Sequence, residues 1–151
     1  MPMERVKRFL DENGVKYVIH QHSTAYTAQE VAEAAHVPGR HFAKSVMVEI
    51  DGRLALAVLP ATDRVDLQRF AGAVGASRVE LAREADFQDR FPDCEPGAMP
   101  PFGNLFEMEV FVSPHLAEAD LIAFSAGSHH EVMQLAFGVF EDLVKPAEVA
   151  M

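Results

Sequence analysis

Apolar positions change their spacing several times along the chain, and each change marks an element. Val6, Phe9 and Leu10 recur at helical spacing, which predicts a first helix from about Met3 to Asn13 with Gly14 as its terminator. Residues Val15 to His22 alternate loosely and read as a strand. Thr27, Ala28, Gln29 and Glu30 form a capping-box pattern that opens a second helix through about His36, and Pro38-Gly39 stops it. The clearest strand covers Phe42 to Ile50. Asp51-Gly52 follows as a two-residue hairpin turn, and Arg53 to Leu59 is the return strand. A helix capped by Thr62 or Asp63 is expected through about Val74, ended by Gly75. A short strand over Arg78 to Leu81 and a short helix from about Arg83 to Phe91, stopped by Pro92, come next. Residues 92–104 form a Pro/Gly-rich loop. Glu107 to Val112, Leu121 to Ala126 and Glu131 to Phe137 read as strands, and Val139 to Val144 as a terminal helical segment. Strands and helices that alternate irregularly, with hairpins, favour a mixed or antiparallel sheet with flanking helices: an α+β or α/β barrel-like domain.

Composition narrows the class without changing the pattern. The chain has 151 residues, 49% of them hydrophobic, which predicts one compact domain spanning 1–151. No apolar run approaches the ~20 residues needed to cross a bilayer. The N-terminal MPMERVKRFLDENG reads as a charged amphipathic helix, not a signal peptide. Cys94 is the sole cysteine, so an internal disulfide and a cysteine-rich metal site are excluded, and a cytoplasmic setting is expected.

Charge is unevenly spread. The net charge of −10 argues against a protein that coats nucleic acid non-specifically. Residues 1–83 carry 11 Lys/Arg against 10 Asp/Glu, whereas residues 84–151 carry 2 against 13. A polyanion could therefore approach only the N-terminal half, with a small footprint. Arg40 and His41, with Arg5, Lys7 and Arg8, could add phosphate contacts to such a partner, although solvated surface charge is the simpler account of each.

Three features could carry chemistry. Lys44 falls in the apolar register of its strand, on one face with Phe42, Val46, Val48 and Ile50, while Ala43, Ser45, Met47 and Glu49 take the other. An unpaired ammonium is expensive there. It either snorkels to water or projects into a pocket to hold an anion. The loop from Pro96 to Gly103 packs two glycines and three prolines into eight residues. Such a loop fixes an unusual backbone path whose amides can hold a carbonyl or oxyanion; the alternative is a purely structural connection. In Gly127-Ser-His-His130, His129 is in phase with Glu131, Met133, Leu135 and Phe137, and His130 with Val132, Gln134 and Ala136. Either histidine could act as base, orienting donor or neutral hydrogen-bonding group, or could simply lie in a surface turn.

Other arrangements fail on chemistry. His20 and His22 share a strand face but lack a third ligand at metal spacing, so no metal is expected. Asp93 and Glu95 flank Cys94 and disfavour its thiolate. There is no GxSxG elbow, no Gly-x-Gly-x-x-Gly and no phosphate-binding Gly-Lys-Ser/Thr.

At these residues the chain resembles the YbaK-type aminoacyl-tRNA deacylases, relatives of the editing insertion domain of bacterial prolyl-tRNA synthetase. The matching pieces are His22-Ser-Thr-Ala-Tyr-Thr-Ala-Gln-Glu-Val-Ala, Ala43-Lys-Ser-Val, Gly97-Ala-Met-Pro-Pro-Phe-Gly-Asn104 and Phe124-Ser-Ala-Gly-Ser-His-His. Gly97 to Pro101 fits the family's GxxxP loop. Gly-Ser-His-His and Pro-Pro-Phe-Gly-Asn point to the free-standing branch that removes alanine mischarged onto proline tRNA.

The resemblance implies a mixed α/β fold around a twisted, partly barrel-like sheet, and hydrolysis of the ester joining an amino acid to the terminal ribose of tRNA. It places Lys44 at the 3′ end, against phosphate or ribose. Gly97 falls on the first position of the family loop, whose free backbone amides are expected to hold the aminoacyl carbonyl, and Ala98, Met99, Pro100 and Pro101 are expected to join the substrate contacts. Gly127 and Ser128 join the substrate contacts. His129 is the better match to the family's polar residue, with His130 the alternative. The implied partner is the acceptor end of mischarged tRNA(Pro), with prolyl-tRNA synthetase or an elongation factor as companion; no cofactor, membrane or DNA is called for. An aminoacyl ester is already activated, so positioned water, an oriented carbonyl and local oxyanion stabilisation suffice, with the ribose hydroxyl assisting. All of this requires Lys44 and the Gly97 loop to face one cavity.

Overall fold

The computed structural model describes residues 4–92, 94–95 and 97–151. Met3, Asp93 and Pro96, which enter the expectations above, lie outside them. Helix α1 (Glu4–Glu12) buries Val6 and Leu10. Strand β1 (Val18–Gln21) follows, then α2 (Ala28–Ala34). Thr27 and Glu30 close the expected capping box in both directions, each accepting the other's backbone N–H. Gly39–His41 makes a 3₁₀ turn into β2 (Ala43–Ile50). Asp51 (φ 49°) and Gly52 (φ 85°) turn the chain into β3 (Arg53–Pro60), the left-handed pair that a tight hairpin demands.

Helix α3 (Leu67–Val74) starts later than expected. Its cap is Asp66, whose side chain accepts the N–H of Arg69, whereas Thr62 and Asp63 lie before the helix. The physical reason is a competing bond: the Asp63 carboxylate is taken by His115, Nδ1 to Oδ2 2.8 Å. Strand β4 (Val79–Leu81) and α4 (Glu84–Phe87), extended by a 3₁₀ turn at Gln88–Arg90, lead into the loop. After a 3₁₀ turn at Gly103–Phe106 come β5 (Glu109–Val112), α5 (Pro114–Ala117), β6 (Leu121–Ser125), β7 (Glu131–Ala136), α6 (Phe137–Val144) and β8 (Ala147–Glu148).

The fold is mixed α/β, as expected, but built on two sheets. The larger runs β4-β2-β3-β5-β8 and the smaller β1-β7-β6. Most neighbours are antiparallel; β3–β5 and β5–β8 are parallel. The strands do not close into a barrel. Among the described residues, one isolated bridge, Phe42 to Ala123, ties the start of β2 to β6.

Both faces of the β2–β3 hairpin are covered, which explains its dense apolar content. Ala43, Met47, Leu56 and Val58 enter the main core with Leu10, Phe102, Phe124, Met133 and Phe140. Val48, Ile50, Ala55 and Ala57 pack on Phe70 of α3 and Phe111. A third cluster joins Phe42, Ala61, Ala123 and Val132 to Val31 and Ala32 of α2. Fully buried Phe102 anchors the end of the Pro/Gly loop. It packs edge-to-face on Phe9, Phe124 and Phe140 with ring centroids 6.0, 5.4 and 5.8 Å away.

Candidate active site

Four separate stretches of chain meet at the seam between the sheets. They are the loop before α2, the start of β2, the Gly97 loop, and the β6–β7 connection. Together they enclose a cavity of about 130 Å³ lined by Tyr26, Lys44, Ser45, Gly97, Met99 and His129, with Phe42, Ser125 and neighbouring apolar groups completing the wall. Lys44, Gly97 and His129 therefore do face one space.

Lys44 sits where strand phase puts it, beside apolar neighbours and half-buried. Its ammonium donates to the carbonyls of Ala61 (3.4 Å) and Asp63. The segment carrying those carbonyls is itself held. Ala61 N–H donates to Gly39 and Phe42, Gln29 donates to the Ala61 carbonyl at 3.3 Å, and the Asp63 side chain meets His115. An ammonium has three protons to donate, so one remains for a ligand oxygen.

Burial lowers the Lys44 pKa. The Asp63 carboxylate opposes that shift, and Arg64 adds to it. A lysine whose charged form is disfavoured by the fold is held more tightly protonated when unfolded. Stability therefore rises with pH between the folded and ordinary lysine values. Lys44 is expected to titrate below an ordinary lysine, and Asp63→Asn to move it lower still by removing an attraction. Following the ¹³Cε shift of labelled lysine against pH checks both; an upward move in Asp63→Asn contradicts the charge assignment.

The Gly97 loop is braced by the Gly127 turn. Glu95 N–H donates to Gly127 O at 2.8 Å, Gly127 N–H to Ala98 O at 2.8 Å, and Ala98 N–H to Glu95 O at 3.0 Å. Ala98 thus spends its amide inside the loop, whereas the amide of Gly97 makes no hydrogen bond to another described residue. Gly97 has φ 83°, and a Cβ there would sit 3.5 Å from His129 Cε1. Of the other loop residues, Met99 reaches the cavity; Ala98, Pro100 and Pro101 are buried behind it. Gly127 and Ser128 are buried too, Ser128 with its hydroxyl unpartnered among the described residues.

The two histidines part company. His129 is 6% exposed and lines the cavity. Its backbone N–H donates to Glu95 Oε2 at 3.1 Å, and its ring Nε2 lies 4.0 Å from the same oxygen. His130 turns outward, half-exposed, with Nε2 3.9 Å from Glu131. Main-chain bonds from His22 to His130 and from Ala25 to His129 hold the turn against the loop before α2.

Tyr26, Ser45 and Ser125 also line the cavity but were not singled out from the sequence. Ser45 carries a legible signal, since it neighbours Lys44 on a strand whose two faces are both covered. Its hydroxyl is buried without a hydrogen-bond partner among the described residues. The remaining candidates lie elsewhere. Arg40 and His41 line a separate cavity of about 300 Å³ with Asp63 and His115. Arg5 lies over the Phe106 ring, and Lys7 pairs with Glu4. His20 bonds Gln134, and His22 the carbonyl of Ser23. Cys94 borders a third cavity with Glu84, Asp89 and Glu95.

Comparison with known proteins bears on this geometry. Residues 22–143 match the aminoacyl-tRNA editing domain. Over 129 residues the chain is 29% identical to the multifunctional Ser/Thr-tRNA deacylase ProXp-y of Escherichia coli strain K12, covering 82% of this chain and 77% of that protein. A crystal structure of a candidate trans-editing enzyme for prolyl-tRNA synthetase superposes with a TM-score of 0.82 at 19% identity, covering 99% of this chain and 97% of the other. A crystal structure of a protein described only as hypothetical reaches 0.85 at 16% identity, covering 97% and 99%. At those identities the structural likenesses speak for the fold.

Proposed function

Since the chain belongs to the aminoacyl-tRNA editing domain family and is a hydrolase of aminoacyl-tRNA, we propose that its substrate is mischarged tRNA(Pro), alanine first, edited in trans. The observation that carries this reading is the shared cavity: an ammonium, a glycine amide and a histidine around a space of about 130 Å³.

In this reading the third proton of Lys44 contacts a phosphate or ribose oxygen of the acceptor end. The Gly97 amide donates to the ester carbonyl oxygen and to the oxyanion that grows there. Water attacks the carbonyl carbon, the bond to the ribose oxygen breaks, and the proton from water ends on that oxygen, releasing free amino acid and tRNA. His129 is placed at the wall to hold the water or relay the proton, with the ribose hydroxyl assisting. Fixed donors aimed at developing charge supply the stabilisation, and the activated ester needs no protein nucleophile.

Size supplies the selection. A hydrophobic site that activates proline cannot strongly reject smaller residues, so a second site too small for proline is the chemical remedy. A second reading, that the side chain removed carries a hydroxyl, draws on the unpartnered Ser45 hydroxyl and on the Ser/Thr-tRNA deacylase named above. Deacylation of Ala-, Cys-, Ser- and Pro-tRNA(Pro) separates the two. Alanine is expected to leave fastest and proline to stay. Serine outrunning alanine supports the hydroxyl reading, and equal turnover of all four overturns the sieve.

A further inference from the structure

We propose that Tyr26 is the stacking platform for the nucleobase at the substrate's 3′ end, an inference that rests on the proposed function and extends it beyond the cavity. A space of about 130 Å³ is well below the several hundred Å³ of a site that engulfs a drug-sized ligand. It can take the aminoacyl group, which leaves the terminal ribose at the mouth and its base outside. Any recognition of that base must come from the rim.

Tyr26 stands on that rim. It lines the cavity yet is 70% exposed, the most exposed of the large hydrophobic side chains among the described residues. Its ring centroid lies 5.0 Å from that of His129, with the planes at 55°. The phenol ring therefore touches a cavity residue while most of the side chain is open to solvent. Unpaired bases at RNA ends are held by aromatic faces of this kind, and such stacking tolerates a wet surface.

The backbone around Tyr26 is already fixed. Ala25 N–H donates to the His129 carbonyl at 3.1 Å, and Thr27 and Glu30 close the capping box on the other side. Little ordering cost remains to be met when a base arrives. The same arrangement links base and ester: a nucleobase on Tyr26 places the attached ribose beside His129.

The test uses kinetics and fluorescence together. With Ala-tRNA(Pro), Tyr26→Leu and Tyr26→Ala are expected to raise KM about tenfold with kcat little changed, while Tyr26→Phe stays near wild type. Ala-tRNA(Pro) with an abasic 3′ terminus keeps the ribose and lacks the base: a Tyr26→Ala loss confined to the substrate with its base supports stacking, and an equal loss on both assigns Tyr26 to the cavity wall alone and overturns it. The chain has two tyrosines and no tryptophan. In a Tyr17→Phe background, binding of a short CCA-ended RNA bearing amide-linked 3′-alanine should quench the Tyr26 emission, and an abasic 3′ terminus should not. If the wild type deacylates Ala-tRNA(Pro) but Tyr26→Ala keeps its KM and the emission is unmoved, the stacking is overturned and the deacylase reading stands. If the wild type deacylates none of the four charged tRNAs, the functional reading falls first.

Discussion

Lys44→Ala is expected to lower kcat/KM for aminoacyl-tRNA about 100-fold while leaving the protein folded. A hydrogen bond to a charged group contributes about 1.5–3 kcal/mol, which corresponds to roughly 10- to 150-fold. The effect on stability is small because two terms oppose each other. Truncation takes a donor from the carbonyl of Asp63 and leaves that of Ala61 to Gln29, yet it also removes an ammonium whose charged form burial disfavours. Lys44→Met separates charge from bulk by keeping most of the stem. Lys44→Arg keeps the charge but spreads it over a planar fork that does not fit a two-carbonyl cradle, so it should rescue only in part. Single-turnover deacylation with a parallel thermal melt measures both quantities. Undiminished turnover in a folded Lys44→Ala would remove the lysine from the site.

Gly97→Ala is expected to reduce kcat by a similar factor with a smaller effect on KM. An L-residue in the left-handed region costs about 1–2 kcal/mol, and Gly97 sits there at φ 83°. The added methyl would meet His129 Cε1 in ordinary contact at 3.5 Å, so the strain comes from the backbone conformation and not from a clash. In the proposed mechanism, moving the Gly97 amide off the carbonyl oxygen removes a preorganised donor, and losing one such donor costs on the order of 10²–10³ in rate. The direction in kcat matters because the donor works chiefly on charge that develops during reaction. A Gly97→Ala protein with normal kcat would mean that the carbonyl is held elsewhere.

Local features were well marked in the sequence. Asp51-Gly52 announced the β2–β3 hairpin, alternation put Lys44 in the apolar register, and the Thr27–Glu30 box opened α2. The family resemblance favoured His129 over His130, strand phase agreed with it, and the structure buries His129 in the cavity wall. What stayed hidden depends on distant partners. The cap of α3 moved to Asp66 because His115, 52 residues beyond Asp63, claims the earlier carboxylate. The two-residue β8 and one-turn α5 are too short to show a period, and the parallel β3–β5 pairing spans a long connection that alternation cannot report. Tyr26 and Ser125 escaped for the same reason: each is unremarkable within its own segment, and only convergence makes it part of a wall.

The bridge between Phe42 and Ala123 has a mechanical consequence. The larger sheet brings Lys44 and Ser45 to the cavity, while β6 of the smaller sheet and the turn after it bring Ser125 and His129. The two walls of the opening are thus tied by main chain and not by side chains alone. Under the proposed size selection, exchanging a lining residue would trim the bore without loosening the frame, whereas prising the fastening apart would let larger acyl groups in and blunt discrimination at every one of them together.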